Sequence, residues 1–194
     1  MTKVLVVHGS RHGGTRGIAE RIGDVLRTEG AEAVVAAADQ VAPDDVQAAD
    51  AFIVGSGVYM GSWLKEPLAF MGTHADVLAS RPTWLFSSGP LPGSSKEAPD
   101  ADPVTNALGP AEGPGSGGRR KVEAVSARIH PRDHQVFQGA FDPNDAPKAM
   151  SERIVRFMPA AKKILPPGDF REWPVIEAWA REIAAELRSP VPVA

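Results

Sequence analysis

The chain has no cysteine among its 194 residues. Disulfides, thiolate metal sites, iron–sulfur ligation and a cysteine nucleophile are excluded together, although the absence does not fix a redox compartment. Neither sign of charge dominates: 21 Lys and Arg stand against 24 Asp and Glu, and a net charge of -3 with a pI near 6.0 and no long basic run gives no nucleic-acid footprint. No apolar run approaches membrane-spanning length. Met1-Thr2-Lys3 leads straight into a short apolar strand, which is not a secretory-signal pattern, so a cytoplasmic location is expected. A Gly-x-Ser-x-Gly elbow is also missing, which removes the usual serine-hydrolase arrangement. What the chain does have is 43% hydrophobic residues over 194 positions, enough for one α/β domain covering 1–194 with a sizeable core.

The richest stretch is Val7 to Thr15, where an apolar strand turns into a helix through glycines and hydroxyls. Lys3 to Val7 is a continuous β-branched and aliphatic run of the kind buried on both faces of a parallel sheet. From Thr15 the residues Ile18, Ile22, Val25 and Leu26 recur at helical spacing, and Gly30 supplies a stop. The loop therefore sits at a helix N-terminus, where unpaired N–H groups and the helix dipole favour an anion. Gly13 and Gly14 allow close backbone approach, Ser10 and Thr15 add hydroxyls, and Arg11 and Arg16 add positive charge. Gly9 to Gly14 has the outer glycine spacing of a P-loop but continues with Thr15-Arg16, so the lysine that reaches terminal phosphates is missing. The dinucleotide pattern Gly-x-Gly-x-x-Gly begins at neither Gly9 nor Gly13.

Further along, Ala33 to Ala38 reads as a second strand, Pro43 to Val46 as a short capped helix and Ala51 to Val54 as a third strand. A second glycine loop, Gly55 to Gly61, is expected next, then one helix from Ser62 to about Leu78. Thr83 to Phe86 is a fourth strand opening at Ser87-Ser88-Gly89. Between Gly89 and Gly118, 13 of 30 residues are Gly or Pro, which excludes a continuous helix or strand and marks an irregular excursion at about 89–118. Arg119 to Ile129 can be helical, Gln135 to Phe137 reads as the fifth strand, and Pro147 to Phe157 reads as a helix. Glu172 to Leu187 is an amphipathic helix with Trp173, Ile176, Trp179, Ile183 and Leu187 on its core face. Five strands alternating with helices predict a doubly wound parallel sheet of order 2-1-3-4-5 with helices on both faces. The loops at Gly9, Gly55 and Gly89 then converge on one crevice at the carboxyl ends of the strands.

This pattern resembles flavodoxins, and within that group the flavodoxin-like family of menaquinone-dependent protoporphyrinogen IX dehydrogenases. The matching pieces are Ser10 to Arg16, Val54 to Tyr59, Asp133 to Ala140 and Gly168 to Trp173. The resemblance implies FMN in the crevice, with Ser10, Arg11, His12, Gly13, Gly14 and Thr15 at the phosphate. Ser56, Gly57, Val58, Tyr59, Met60 and Gly61, with Ser87, Ser88 and Gly89, would flank the isoalloxazine ring. Tyr59 and Trp63 are suited to edge a half-exposed ring, and the resemblance gives Gly57 a peptide able to rotate with the flavin's protonation state. It further implies an FMN-dependent oxidoreductase acting on a tetrapyrrole or another small substrate, with a quinone or a redox protein as partner. The cationic and apolar mixture in Arg153 to Met158 and Lys162 to Leu165 implies peripheral membrane contact through 153–165. Where that family is long and basic after strand four, this chain is Pro/Gly-rich, with Lys96 among Glu97, Asp100 and Asp102.

Two other readings stand beside it. A flavodoxin-type electron carrier would have the same site and no substrate of its own, and such carriers are usually more acidic than this chain. Val6 to Arg11 also resembles the opening of small tetrapyrrole metal chelatases, with His8 as the metal ligand, but His74, His130 and His134 show no clear pairing with it.

Overall fold

A computed structural model of the chain describes residues 1–59, 61–89, 108, 117–141 and 168–189. Met60, most of the 89–118 excursion, the expected helix at 147–157 and the 153–165 segment fall outside the described residues.

The apolar run at the N-terminus forms β1 (Lys3–Gly9), two residues longer than its hydrophobic part. Its side chains alternate between two cores: Val4 and Val6 enter one, Leu5 and Val7 the other. Burial on both faces is what a central parallel strand requires. β1 pairs in parallel with β2 (Glu32–Ala37) on one side and β3 (Ala51–Tyr59) on the other. β3 then pairs with β5 (Thr83–Ser88), and β5 with β6 (His134–Phe137), again in parallel. The order β2-β1-β3-β5-β6 is the predicted 2-1-3-4-5 in the five long strands.

The difference is β4 (Ser62–Trp63), a two-residue strand antiparallel to the end of β3. The expected loop from Gly55 is mostly strand: β3 runs on to Tyr59, and Gly61 (φ 73°) turns the chain back. Gly55 is inside the sheet because the ring of Phe86 lies over it, and a Cβ there would overlap the ring's Cζ and Cε atoms. A glycine chosen for that space looks like a loop signal when read in isolation.

The expected single helix from Ser62 is also two, α3 (Lys65–Thr73) and α4 (Ala75–Ser80). The break falls at His74 (φ −106°, ψ 19°), directly after Gly72 and Thr73, two weak helix formers. The His74 ring stays against Phe70, with centroids 4.8 Å apart.

α1 (Gly14–Thr28) and the last helix, α6 (Trp173–Arg188), lie on one face of the sheet. There Ile18, Ile22 and Leu26 meet Ile176, Trp179 and Ile183 over Val4, Val6, Trp84 and Phe86. The stripe read from the sequence is inward, although Trp173 and Leu187 reach the core only in part. On the other face α2 (Pro43–Ala48), α3, α4 and α5 (Gly117–Ile129) cover Leu5, Val7, Phe52, Val54 and Leu85. A small antiparallel pair, β7 (Ala140–Phe141) and β8 (Gly168–Asp169), stands apart from the main sheet. Phe141, expected just beyond the fifth strand, belongs to that pair.

Candidate functional site

The reversal of strand order between β1 and β3 opens a crevice at the carboxyl ends of the strands, where doubly wound folds hold ligands. One side of it is the turn from β1 into α1. Gly13 adopts φ 82°, a left-handed conformation that suits glycine, and this lets the chain enter α1 directly. The Gly13 N–H donates to Ser10 Oγ at 3.1 Å, closing the turn on itself. α1 has no side-chain cap on its N-terminal amides and no acidic residue in its first turn. Its amides and dipole therefore face the crevice uncompensated by any carboxylate in that turn. Thr15 is buried in the first turn, and Arg16 lies on the exposed side, 3.6 Å from Glu20.

The second side is the end of β3. Tyr59 is drawn against the first loop: the Arg11 guanidinium lies 4.7 Å from its ring centroid, and the His12 ring is 6.5 Å away and tilted by 52°. Gly57 is the point of closest approach, since a Cβ there would sit 3.0 Å from Thr15 Oγ1 and 2.8 Å from Tyr59 Cε2. Only a residue without a side chain keeps these two walls at this separation. Gly57 lies in the ladder opposite Ser88, and its carbonyl accepts from Ser56 Oγ at 2.9 Å.

The third side is the end of β5. Ser87 is fully buried, and its Oγ lies 2.8 Å from Trp63 Nε1 and 2.9 Å from His134 Nε2. Trp63 is 4% exposed, so its ring belongs to the wall and not to the open crevice. Ser56 is likewise inside, accepting the Leu64 N–H at 3.0 Å. Gly89 takes φ 89° and donates its N–H to Phe137 O at 2.9 Å, and Gly139 lies against it.

The structure thus brings together Ser10, Arg11, His12, Gly13, Gly14, Thr15, Gly57 and Tyr59 around the first loop. Val58 is in β3 opposite Trp63, and Gly61 is in the turn that leads into β4. Ser87, Ser88 and Gly89 end the next strand. Arg171 and His134 lie in two of the pieces that carry the resemblance, but neither was assigned a part in the site. Arg171 Nη1 donates to the Gly14 carbonyl at 3.3 Å from 157 positions away. A separation of that length leaves no local signal, and His134 stands one position before the expected start of the fifth strand, opposite Leu85 in the observed register.

His8 closes β1 just before the loop. It is 7% exposed, and among the described residues its Nδ1 has no hydrogen-bond partner. Burial pushes its pKa below the ordinary value; the Arg16 charge acts in the same direction, and the Glu20 and Asp39 carboxylates oppose it more weakly than burial lowers it. Among the described residues no three His, Asp or Glu side chains gather where a metal could be held, so nothing joins His8 as a second and third ligand. No helix among the described residues is long and apolar enough to cross a membrane.

A family model described as "Flavodoxin domain" matches residues 5–158. Among solved structures, a cysteine-to-serine variant of the flavodoxin from Pseudomonas aeruginosa is 18% identical, with a TM-score of 0.56 over 97% of this chain and 100% of that one. Oxidised flavodoxin 2 from Bacillus cereus is 16% identical, with a TM-score of 0.57 over 95% of this chain and 99% of that one. The rubredoxin oxygen:oxidoreductase of Desulfovibrio gigas is 13% identical, with a TM-score of 0.56; the match covers 96% of this chain and 36% of that one. None of the curated protein sequences compared with this chain matches it.

Proposed function

The chain belongs to the flavodoxin-domain family, whose cofactor is FMN, and from that premise we propose that it is an FMN-dependent oxidoreductase whose phosphate site is the β1–α1 turn. The observation that carries this reading is the meeting of an uncapped helix N-terminus with a glycine-lined gap: Gly57 faces Thr15 across a space that a single methyl would fill.

The residues fit both ends of such a cofactor. At the phosphate end, Gly13 sets the turn, and the N-terminal amides of α1 with Thr15 supply donors. Arg11 and Arg16 add positive charge, and Ser10 holds the turn closed. At the ring end, Tyr59 offers an aromatic face with a polar tip. Ser56, Gly57, Val58, Gly61, Ser87, Ser88 and Gly89 would form the walls. FMN, when bound, supplies hydride and single-electron transfer, which no side chain of this protein can provide. The protein's part is to hold the phosphate, fix the ring against the ends of β3 and β5, and keep water from the buried side. Ser87 does the last through Trp63 and His134, which fill the space behind it.

A small organic substrate and a quinone or protein acceptor would complete the cycle. The net charge of -3 favours an enzyme over a dedicated carrier, which would be expected to present a stronger acidic surface to its partner. The carrier reading has its own support in the match to a flavodoxin domain over most of the chain. Steady-state assays of the FMN-loaded protein separate them. Multiple turnovers with a menaquinone analogue as acceptor and a small-molecule donor support the enzyme. Single-equivalent reduction followed by transfer only to a redox protein supports the carrier and overturns the enzyme.

A further inference from the structure

Arg171 stands two residues before α6, far in sequence from the first loop and in contact with it. Its Nε and Nη2 donate to the two carboxylate oxygens of Asp169 at 2.7 and 2.6 Å, a bidentate fork that fixes the guanidinium plane. The Arg171 N–H donates to the same carboxylate at 3.1 Å. The remaining arm, Nη1, donates to Gly14 O. The guanidinium also lies 4.4 Å from the Trp173 ring centroid, and the side chain is 17% exposed. Hydrogen bonding to Arg171 holds the Asp169 carboxyl below its ordinary pKa.

The helix leaves room for this side chain. A Cβ at Gly17 would lie 2.5 Å from Arg171 Nη1, so any other residue at that position would displace the guanidinium from its present place at the first turn. Asp169 is held in turn by β8, which pairs with β7 at Ala140, and a Cβ at Gly14 would be 3.7 Å from the Ala140 amide. The β7–β8 pair therefore closes on the start of α1.

We propose that Arg171, oriented by Asp169 and admitted by Gly17, is a positioning residue for the anion-binding turn, and it rests on the FMN reading above. In a trans peptide the carbonyl and the following N–H point in opposite directions, and all peptide bonds of the described residues are trans. The Gly14 carbonyl already takes part in the first turns of α1, and Arg171 adds a second, cationic donor to it, restraining the peptide whose N–H is that of Thr15 at the helix start. A cationic donor on the carbonyl also polarises that peptide and strengthens its N–H as a donor. Because Asp169 balances the charge of Arg171, the effect is local alignment of one amide and not long-range attraction.

The test compares FMN with riboflavin, which lacks the phosphate, by flavin fluorescence quenching in wild type, Arg171→Met, Arg171→Lys and Gly17→Ala. Melting of each apoprotein is followed by circular dichroism. In Arg171→Met and Gly17→Ala the Kd for FMN is expected to rise about tenfold, the loss of roughly one hydrogen bond, with the riboflavin Kd changed less than about twofold. Arg171→Lys keeps the charge but not the fork and is expected to behave like Arg171→Met. Gly17→Ala is informative even where Arg171→Met fails to fold, because alanine raises helix propensity. A merely structural role predicts an equally tight or tighter FMN complex for it. Equal shifts for the two flavins, no shift, or full rescue by lysine overturns the proposal. Wild-type protein that binds neither flavin overturns the functional reading and this inference with it.

Discussion

Trp63 Nε1 donates to Ser87 Oγ at 2.8 Å, tying the two-residue strand β4 to the buried end of β5. Ser87 has one proton to give, and His134 Nε2, 2.9 Å away, is placed to accept it. With that assignment the indole N–H and the serine hydroxyl are both satisfied in one chain that ends on His134 Nε2. The back wall of the crevice is thus polar but closed.

Removing the middle of that chain leaves the indole N–H buried without an acceptor. Ser87→Ala is expected to lower stability by about 1–3 kcal/mol, read as a shift in urea midpoint. Adding Trp63→Phe removes the stranded donor, so the double variant is expected to lose less than the sum of the two single changes. Strict additivity would show that the pair is not coupled.

Gly55→Ala places a methyl inside the space occupied by the Phe86 ring. The ring is fully buried against Phe137 and Trp179, at centroid distances of 6.0 and 6.3 Å, and has little room to withdraw. Overpacking of this kind is expected to cost about 1–3 kcal/mol, measured as a lower melting temperature. An unchanged melting temperature would mean that Phe86 has another accessible position.

Gly57→Ala acts on the site more than on the fold. Its methyl would press on Tyr59 and Thr15 between the two walls. FMN affinity is expected to fall about tenfold, or ~1.4 kcal/mol, with a smaller change in apoprotein stability, as read by flavin titration beside thermal melting. A large loss of stability with unchanged affinity would place Gly57 in the scaffold alone.

His8 predicts the acid side of the stability profile. Its folded-state pKa lies below the ordinary value of about 6.5 because burial disfavours the imidazolium. Below that value the unfolded chain binds a proton that the folded protein does not, so stability rises with pH across this window and falls as the pH drops below about 6.5. The decline from His8 ends once the pH passes its depressed folded-state value. His8→Gln is expected to flatten this part of the profile in urea denaturation at a series of pH values. An unaltered slope would exclude His8 as its source.

Much of the architecture was legible because the apolar runs at Val4 to Val7, Ala51 to Val54 and Thr83 to Phe86 are strong and the helix stripes are regular. The strand order followed from the alternation of strands and helices. The β3–β4 turn was not legible, because Gly55 and Gly57 serve side-chain clearance inside a strand while carrying the composition of a loop. The break at His74 was hidden for a related reason: the hydrophobic spacing of Phe70, Met71, Ala75 and Leu78 continues across it. At the site, Ser10 to Thr15 could be read locally, since a strand, a glycine turn and a helix are contiguous there. Arg171 could not, since its role depends on the 157-residue separation closed by the β7–β8 pair.

Whether the crevice between the β1–α1 turn and the end of β3 holds FMN is decided by titrating purified apoprotein with FMN and following fluorescence quenching and the visible spectrum. Stoichiometric quenching at micromolar protein with a perturbed flavin spectrum, weakened by Gly57→Ala, is the expected result. Unquenched fluorescence and a free-flavin spectrum at that concentration would contradict it.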